Sequence, residues 1–219
     1  MGLSSFTPRA WLENARHRWQ KGQLSTPEFN FIFDDPPPDE YVSLDCETTG
    51  LNVRSDDIIS IGAVRIKGNR ILSSERLELL VQPQGNVSAE SIRVHRLREM
   101  DVANGLPVEE AMRRLIHFIG SRPLVGYYLE FDVAMINRAM KPLLGIKLPQ
   151  RQIEVSALYY DYKFKQLPPY QQQGNADIDL RFDTLMKDLA LPTRDAHDAL
   201  NDAVMAGLAF IKLRELHAG

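Results

Sequence analysis

Apolar positions along the chain fall first into runs of strand length and then into stripes of helical spacing. Tyr41 to Leu44 reads as a strand, and Ile58–Ile66 and Ile71–Val81 are two further β-rich runs separated by Lys67-Gly68-Asn69-Arg70, the composition of a hairpin turn. Three strands in succession predict an antiparallel half-sheet. Pro107–Ile119 has the signals of a helix: proline at the start, Glu109 and Glu110 in the first turn, Val108, Ala111, Met112, Leu115 and Ile119 on one face, and Gly120 at the end. His117 falls on its outer surface. Pro123–Gly126 predicts a short buried strand, Phe131–Ile136 the opening of another helix, Ile153–Leu158 a fifth strand, and Leu180–Leu189 a short helix. A long final helix follows Asp195, with Leu200, Ala203, Val204, Gly207, Leu208 and Ile211 available to pack inward. Tyr159–Asp179 is aromatic, then rich in Gln and Pro, and is read as a long substrate or partner loop.

Residues 1–40 read as an N-terminal helical extension and Pro-rich linker ahead of a domain at 41–219. Thr7-Pro8 supplies a cap and a first-turn proline, Trp11, Leu12, Ala15 and Trp19 a narrow apolar stripe, and Gly22 a stop. Arg9, Arg16, His17, Arg18 and Lys21 lie off that stripe. The pattern fits a helix docked on the core with a wet basic face, and fits a contact for nucleic acid or a protein partner. Pro36-Pro37-Pro38 reads as a stiff linker.

The 219 residues are 44% hydrophobic, enough for a substantial core. No apolar run reaches the ~20 residues of a membrane span and the start lacks a signal-peptide pattern, so a cytoplasmic location is expected. Cys46 is the one cysteine, which excludes an intrachain disulfide and a thiolate zinc site. The net charge of −3, from 26 basic and 29 acidic residues, argues against a broad basic face for long nucleic acid. Any binding of phosphate must be local.

The first strand runs into Asp45 and Glu47. Side chains two apart on a strand share a face, so these carboxylates stand side by side while Val42, Leu44 and Cys46 take the other face. Thr48, Thr49 and Gly50 break the strand there. Two like charges this close raise each other's pKa unless a cation lies between them, and oxygen ligands of this kind suit Mg²⁺ or Mn²⁺. Farther along, Asp198 and Asp202 are four apart and share a helix face, whereas His197 and Asp202, five apart, point away from each other on a regular helix. Geometry alone therefore pairs Asp198 with Asp202.

Asp45-Cys46-Glu47-Thr48-Thr49-Gly50-Leu51 after an apolar strand resembles the first motif of the DEDDh 3′-to-5′ exonucleases, the superfamily of proofreading epsilon subunits, RNase T and oligoribonuclease. Two later stretches resemble the family in the same order. Gly126-Tyr127-Tyr128-Leu129-Glu130-Phe131-Asp132 keeps the Phe-Asp of the second motif but has tyrosines where the family carries His-Asn. His197-Asp198-Ala199-Leu200-Asn201-Asp202-Ala203 resembles the third, His-x-Ala-x-x-Asp-Ala, and Val94-His95 with Asp101-Val102 resembles a stretch whose histidine faces the terminal nucleotide.

The resemblance covers residues 41 to about 216 and implies an RNase H-like α/β fold, a mixed five-stranded sheet with three antiparallel strands first, flanked by helices. It implies two divalent cations held by Asp45, Glu47, Asp132 and Asp202, with His197, in the loop before the final helix, as general base. Thr48, Thr49, Gly50, Leu51, His95 and Phe131 would hold the terminal nucleotide. Tyr128 either stacks on single-stranded substrate or packs with Tyr127. The implied partners are 3′ ends of single-stranded DNA or RNA, and a polymerase or other protein through the N-terminal extension. The Thr48–Leu51 and hairpin regions look most like epsilon-type domains, which favours DNA. A domain that keeps the fold only to bind a partner is the alternative from another class.

Overall fold

The first three strands pair as the hairpin reading requires. In the computed structural model, which describes residues 17–85, 99–172, 176–194 and 198–218, β1 (Glu40–Thr48) lies antiparallel to β2 (Ile58–Lys67), and β2 antiparallel to β3 (Arg70–Leu80). Gly68, with φ 58°, turns β2 into β3. Two short strands, β4 (Leu124–Gly126) and β5 (Gln152–Glu154), continue the sheet in parallel on the other side of β1, giving the order β3-β2-β1-β4-β5. This is the expected mixed sheet.

Helices cover both faces. Helix α1 (Val108–Ile119) buries Ala111, Met112, Leu115, Ile116 and Ile119, and with α2 (Leu129–Leu144) it packs on Val42, Leu44 and Cys46 of β1. On the opposite face, α3 (Val155–Gln166), α4 (Phe182–Asp188) and α5 (Ala199–Ala218) enclose Ile66, Val125, Tyr159, Met205, Ala206 and Phe210. Each large side chain so enclosed contributes roughly 1.5–3 kcal/mol. The central strand is therefore buried on both sides, as parallel neighbours require. Ser43 is buried beneath α5, where a Cβ on Gly207 would already touch its Cβ at 3.4 Å.

Several expectations are corrected. The fifth strand ends at Glu154, and Val155 to Gln166 is helical, so the long loop expected from Tyr159 begins only after α3. Within α5, Ala203, Gly207 and Ile211 are buried as expected but Leu200, Val204 and Leu208 are only half-buried, and Met205, Ala206, Ala209, Phe210 and Leu213 are buried as well, because the helix is packed by the sheet on one side and by α3 and α4 on another. Trp19 is 67% exposed and does not dock inward. What ties the extension down lies farther along. A 3₁₀ helix, Pro27–Phe33, inserts Phe29 and Ile32 into the core beneath α1, and the Thr26 hydroxyl donates to the Leu143 carbonyl at 2.7 Å. The proline stretch is likewise fastened, with Arg214 donating to Asp39 at 2.7 Å and Arg122 to Glu40 at 2.9 Å. Among the described residues no helix is long and apolar enough to cross a membrane.

Candidate active site

The site is built at the carboxyl end of β1. Asp45 sits opposite Gly62 of β2 and Glu47 opposite Ser60, after which the register slips so that Thr48 faces Ile58. Residues opposite each other share a face of the sheet, so a Cβ on Gly62 would point where the Asp45 side chain points. That space belongs to α5: an added Cβ would overlap the Ala199 carbonyl and the Leu200 amide. Gly62 thus lets the first turn of α5 rest on the sheet beside Asp45, and this turn carries Asp202. Carboxylate oxygens of Asp45, Glu47 and Asp202 lie within 4.8 Å of one another.

Asp198 has a different task. Its Oδ1 accepts from the Asn201 amide at 2.8 Å and its carbonyl from the Asp202 amide at 2.9 Å, so it caps the start of α5. Spacing alone pairs Asp198 with Asp202; in the structure Asp198 caps the start of α5 and stands outside the group of three oxygens, while its charge still bears on Glu47 and Asp45.

Asp132 comes from α2. It is buried, and its Oδ1 accepts from the Cys46 amide at 3.1 Å, which holds the carboxyl against β1 between the two acids of that strand. It lies outside the group of three oxygens within 4.8 Å, yet its charge bears on Asp45. The helix that carries it starts from Tyr128, which has the left-handed conformation φ 53°, ψ 34°. Tyr127 donates to the Leu180 carbonyl at 2.8 Å and packs on Phe182, and the Tyr128 ring lies edge-on to Tyr127 at 4.5 Å while its side chain stays 59% exposed. Phe131 is half-buried against the first core. Glu154, read within a fifth strand, ends β5 and accepts from the amides of Tyr128 and Leu129.

The Thr48–Leu51 stretch forms a fastened turn rather than a row of free hydroxyls. Thr48 donates to the Gly50 carbonyl at 2.7 Å, Thr49 accepts from the Asp57 amide at 2.9 Å, and both side chains are buried. Gly50 has no room for a Cβ, which would lie 2.5 Å from an Asp56 oxygen. The turn is backed by Arg138 of α2, which donates to the Asp56 carbonyl and pairs with Asp57 at 3.5 Å. What it shows outward is Leu51, 86% exposed. A cavity of about 540 Å³ between Arg54, Gln84 and Arg138 contains none of the clustered acids. His95 and His197 lie outside the described residues.

Burial dominates the electrostatics. It pushes Asp45 well above the ordinary carboxylate range, with the charges of Asp132, Asp202 and Glu47 adding to it. Glu47 rises to about 7 through burial and then the charges of Asp202 and Asp198. Asp132 rises to about 8 through burial, against the lowering effect of the Cys46 amide. Burial also pushes the Cys46 thiol up, so this residue is a core side chain and not a nucleophile. Such a set of hard oxygens fits divalent cations.

A prediction follows from Glu47. Its ordinary value is 4.5 and its folded value about 7, so between these limits the folded protein holds a proton that the unfolded chain has released. Stability must then fall as pH rises through that window. Thermal melts in excess chelator should show a midpoint several degrees lower at pH 8 than at pH 5.5, with the difference shrinking in Mn²⁺ and in Glu47→Gln. A slope untouched by either would contradict the electrostatics.

A mixed sheet of this order, with acids gathered at the end of its central strand, has the architecture of an RNase H-like nuclease. Residues 42–210 match the Exonuclease (RNase T) family, and the chain belongs to it. Among its relatives is the DNA polymerase III subunit epsilon of Aquifex aeolicus, 26% identical over 80% of both chains. Another is the DNA polymerase III PolC-type of Caldanaerobacter subterraneus, 30% identical over 80% of this chain. The chain spans 12% of the length of that PolC-type relative. Solved structures share the fold: exonuclease X in complex with 5′-overhanging duplex DNA aligns with a TM-score of 0.60 at 22% identity, over 82% of this chain and 93% of that one. E. coli exonuclease I in complex with a dT13 oligonucleotide aligns with a TM-score of 0.65 at 15% identity, over 80% of this chain and 41% of that one.

Proposed function

We propose that this protein is a 3′-to-5′ exonuclease that removes nucleoside 5′-monophosphates one at a time from single-stranded or frayed DNA ends. The observation that carries the reading is the convergence of Asp45, Glu47 and Asp202 within 4.8 Å in a chain that belongs to an exonuclease family. Asp45, Glu47, Asp132 and Asp202 would hold two divalent cations, Mg²⁺ or Mn²⁺. When bound, these supply the positive charge that draws in the phosphate and makes water acidic enough to be deprotonated near neutral pH.

The remaining work belongs to the side chains. His197, adjoining the cap of α5 in sequence, takes the proton of the attacking water, a role suited to a group that titrates near neutrality. Leu51 on the turn after β1, Phe131 and Tyr128 at the start of α2, and His95 border the terminal nucleotide. Thr48, Thr49 and Gly50 shape the wall on which it rests. The Tyr128 ring packs edge-on against Tyr127, and with 59% of the residue exposed it is still open to stacking by an unpaired base.

DNA is favoured because the relatives are named as parts of DNA polymerases. Those names also support a polymerase or similar partner. The surface we assign to it is the extension outside the family match, where Trp19 is exposed next to Arg18 and close to Lys21. The test of exonuclease action is a comparison of linear and circular single-stranded DNA of one sequence in Mn²⁺. Linear strands should be consumed to 5′-monophosphates while circles persist; cleavage of circles at a comparable rate would overturn the reading.

A further inference from the structure

Glu154 is not one of the clustered acids, yet both its carboxylate oxygens are engaged beside them. Its Oε1 accepts from the Tyr128 amide at 3.0 Å and its Oε2 from the Leu129 amide at 2.8 Å. The carboxylate is itself fixed by the Ser156 amide at 3.0 Å and the Ser156 hydroxyl at 2.8 Å. The bonds from Tyr128 and Leu129 fall on the turn between β4 and α2. Tyr128 there adopts a left-handed conformation that a side chain with a Cβ enters at a cost, and its carbonyl accepts the Phe131 amide at 3.1 Å to begin the helix. The next residue is Asp132.

We infer that Glu154 is a positioning residue: from the end of β5 it holds Tyr128 in the left-handed turn, and through that turn it sets Asp132 against β1 and the Tyr128 ring at the mouth of the site. A charged acceptor on two successive helix-starting amides is strong enough to hold an unfavourable backbone conformation. The register supports this, since Gly126, the last residue of β4, lies opposite Glu154. A Cβ on Gly126 would lie 2.8 Å from Leu129 Cδ1 and 3.0 Å from the Leu44 carbonyl, so the turn has one way to leave the strand. The inference rests on the exonuclease reading for its catalytic consequence, but not for its structural one.

The test is Glu154→Ala, made in the wild-type chain and in Tyr128→Asn, because asparagine enters the left-handed region readily and needs no clamp. In the wild-type background Mn²⁺ affinity, measured by calorimetry, should fall about tenfold and kcat about a hundredfold. Amide exchange should quicken over 129–133 while α5 keeps its protection, a pattern that general destabilisation would not give. In the Tyr128→Asn background the same substitution should cost about threefold or less in Mn²⁺ affinity. Equal losses in both backgrounds, or unchanged exchange at 129–133, would overturn the inference. A wild-type chain that binds Mn²⁺ but hydrolyses nothing would count against the exonuclease reading alone, since the binding and exchange results still decide the role of Glu154.

Discussion

Asp45→Asn and Asp202→Asn should each reduce hydrolysis by about a thousandfold or more while leaving the protein folded. The magnitude follows from losing a carboxylate that would hold the cations acting on the reacting phosphate in a site partly closed to water. The fold should survive because each substitution relieves repulsion. Asp45 is held far above its ordinary pKa first by burial and then by Asp132, Asp202 and Glu47, so a neutral group of the same shape costs nothing there without bound cations. In chelator the melting temperature of Asp45→Asn should equal or exceed that of the wild type, and the stabilisation by Mn²⁺ seen in the wild type should be largely lost. Near-wild-type hydrolysis by either variant would remove these residues from the chemistry. A sharp fall in melting temperature without cations would mean that Asp45 is a structural group.

Gly62→Ala should damage both stability and activity, though the residue bears no functional group. The added Cβ would overlap backbone atoms of Ala199 and Leu200, and backbone cannot rotate out of the way as a side chain can. Overpacking of this kind costs about 3 kcal/mol, which in a domain of this size lowers the melting temperature by roughly 6–12 °C. The first turn of α5 must lift from β2, and Asp202 moves with it. A displacement on the order of 1 Å costs about a hundredfold in rate, so activity should fall at temperatures where the variant is still folded. Circular dichroism melts and rates at a low temperature separate the two effects. A variant of wild-type stability and rate would show that α5 does not need the space Gly62 leaves.

Much of this arrangement was legible in the sequence. The alternation at Tyr41–Glu47 placed Asp45 and Glu47 on one face, and the hairpin signal at Lys67–Arg70 gave the antiparallel half of the sheet. Other features depend on tertiary contacts that no local pattern carries. Ile153–Leu158 is an apolar run that periodicity cannot assign to strand or helix; its helical part is set by Glu154 accepting from Ser156. Gly62 lies in the β-rich run Ile58–Ile66 with nothing local to mark it, because its meaning comes from a helix that begins more than a hundred residues later. Phe29 and Ile32 sit in a short aromatic run ahead of acids and prolines, and only packing beneath α1 marks these two as the core members. Spacing puts Asp198 and Asp202 on one helix face, and only the folded chain shows Asp198 capping α5 while Asp202 joins Asp45 and Glu47.

The most direct test of the central claim is a time course with 5′-labelled single-stranded DNA and matched RNA oligomers, in Mg²⁺, in Mn²⁺ and in excess chelator, resolved at single-nucleotide steps. The proposed function predicts a ladder that shortens from the 3′ end only when a divalent cation is present, faster on DNA than on RNA. Full-length oligomers in every condition, or shortening that persists in chelator, would contradict the claim.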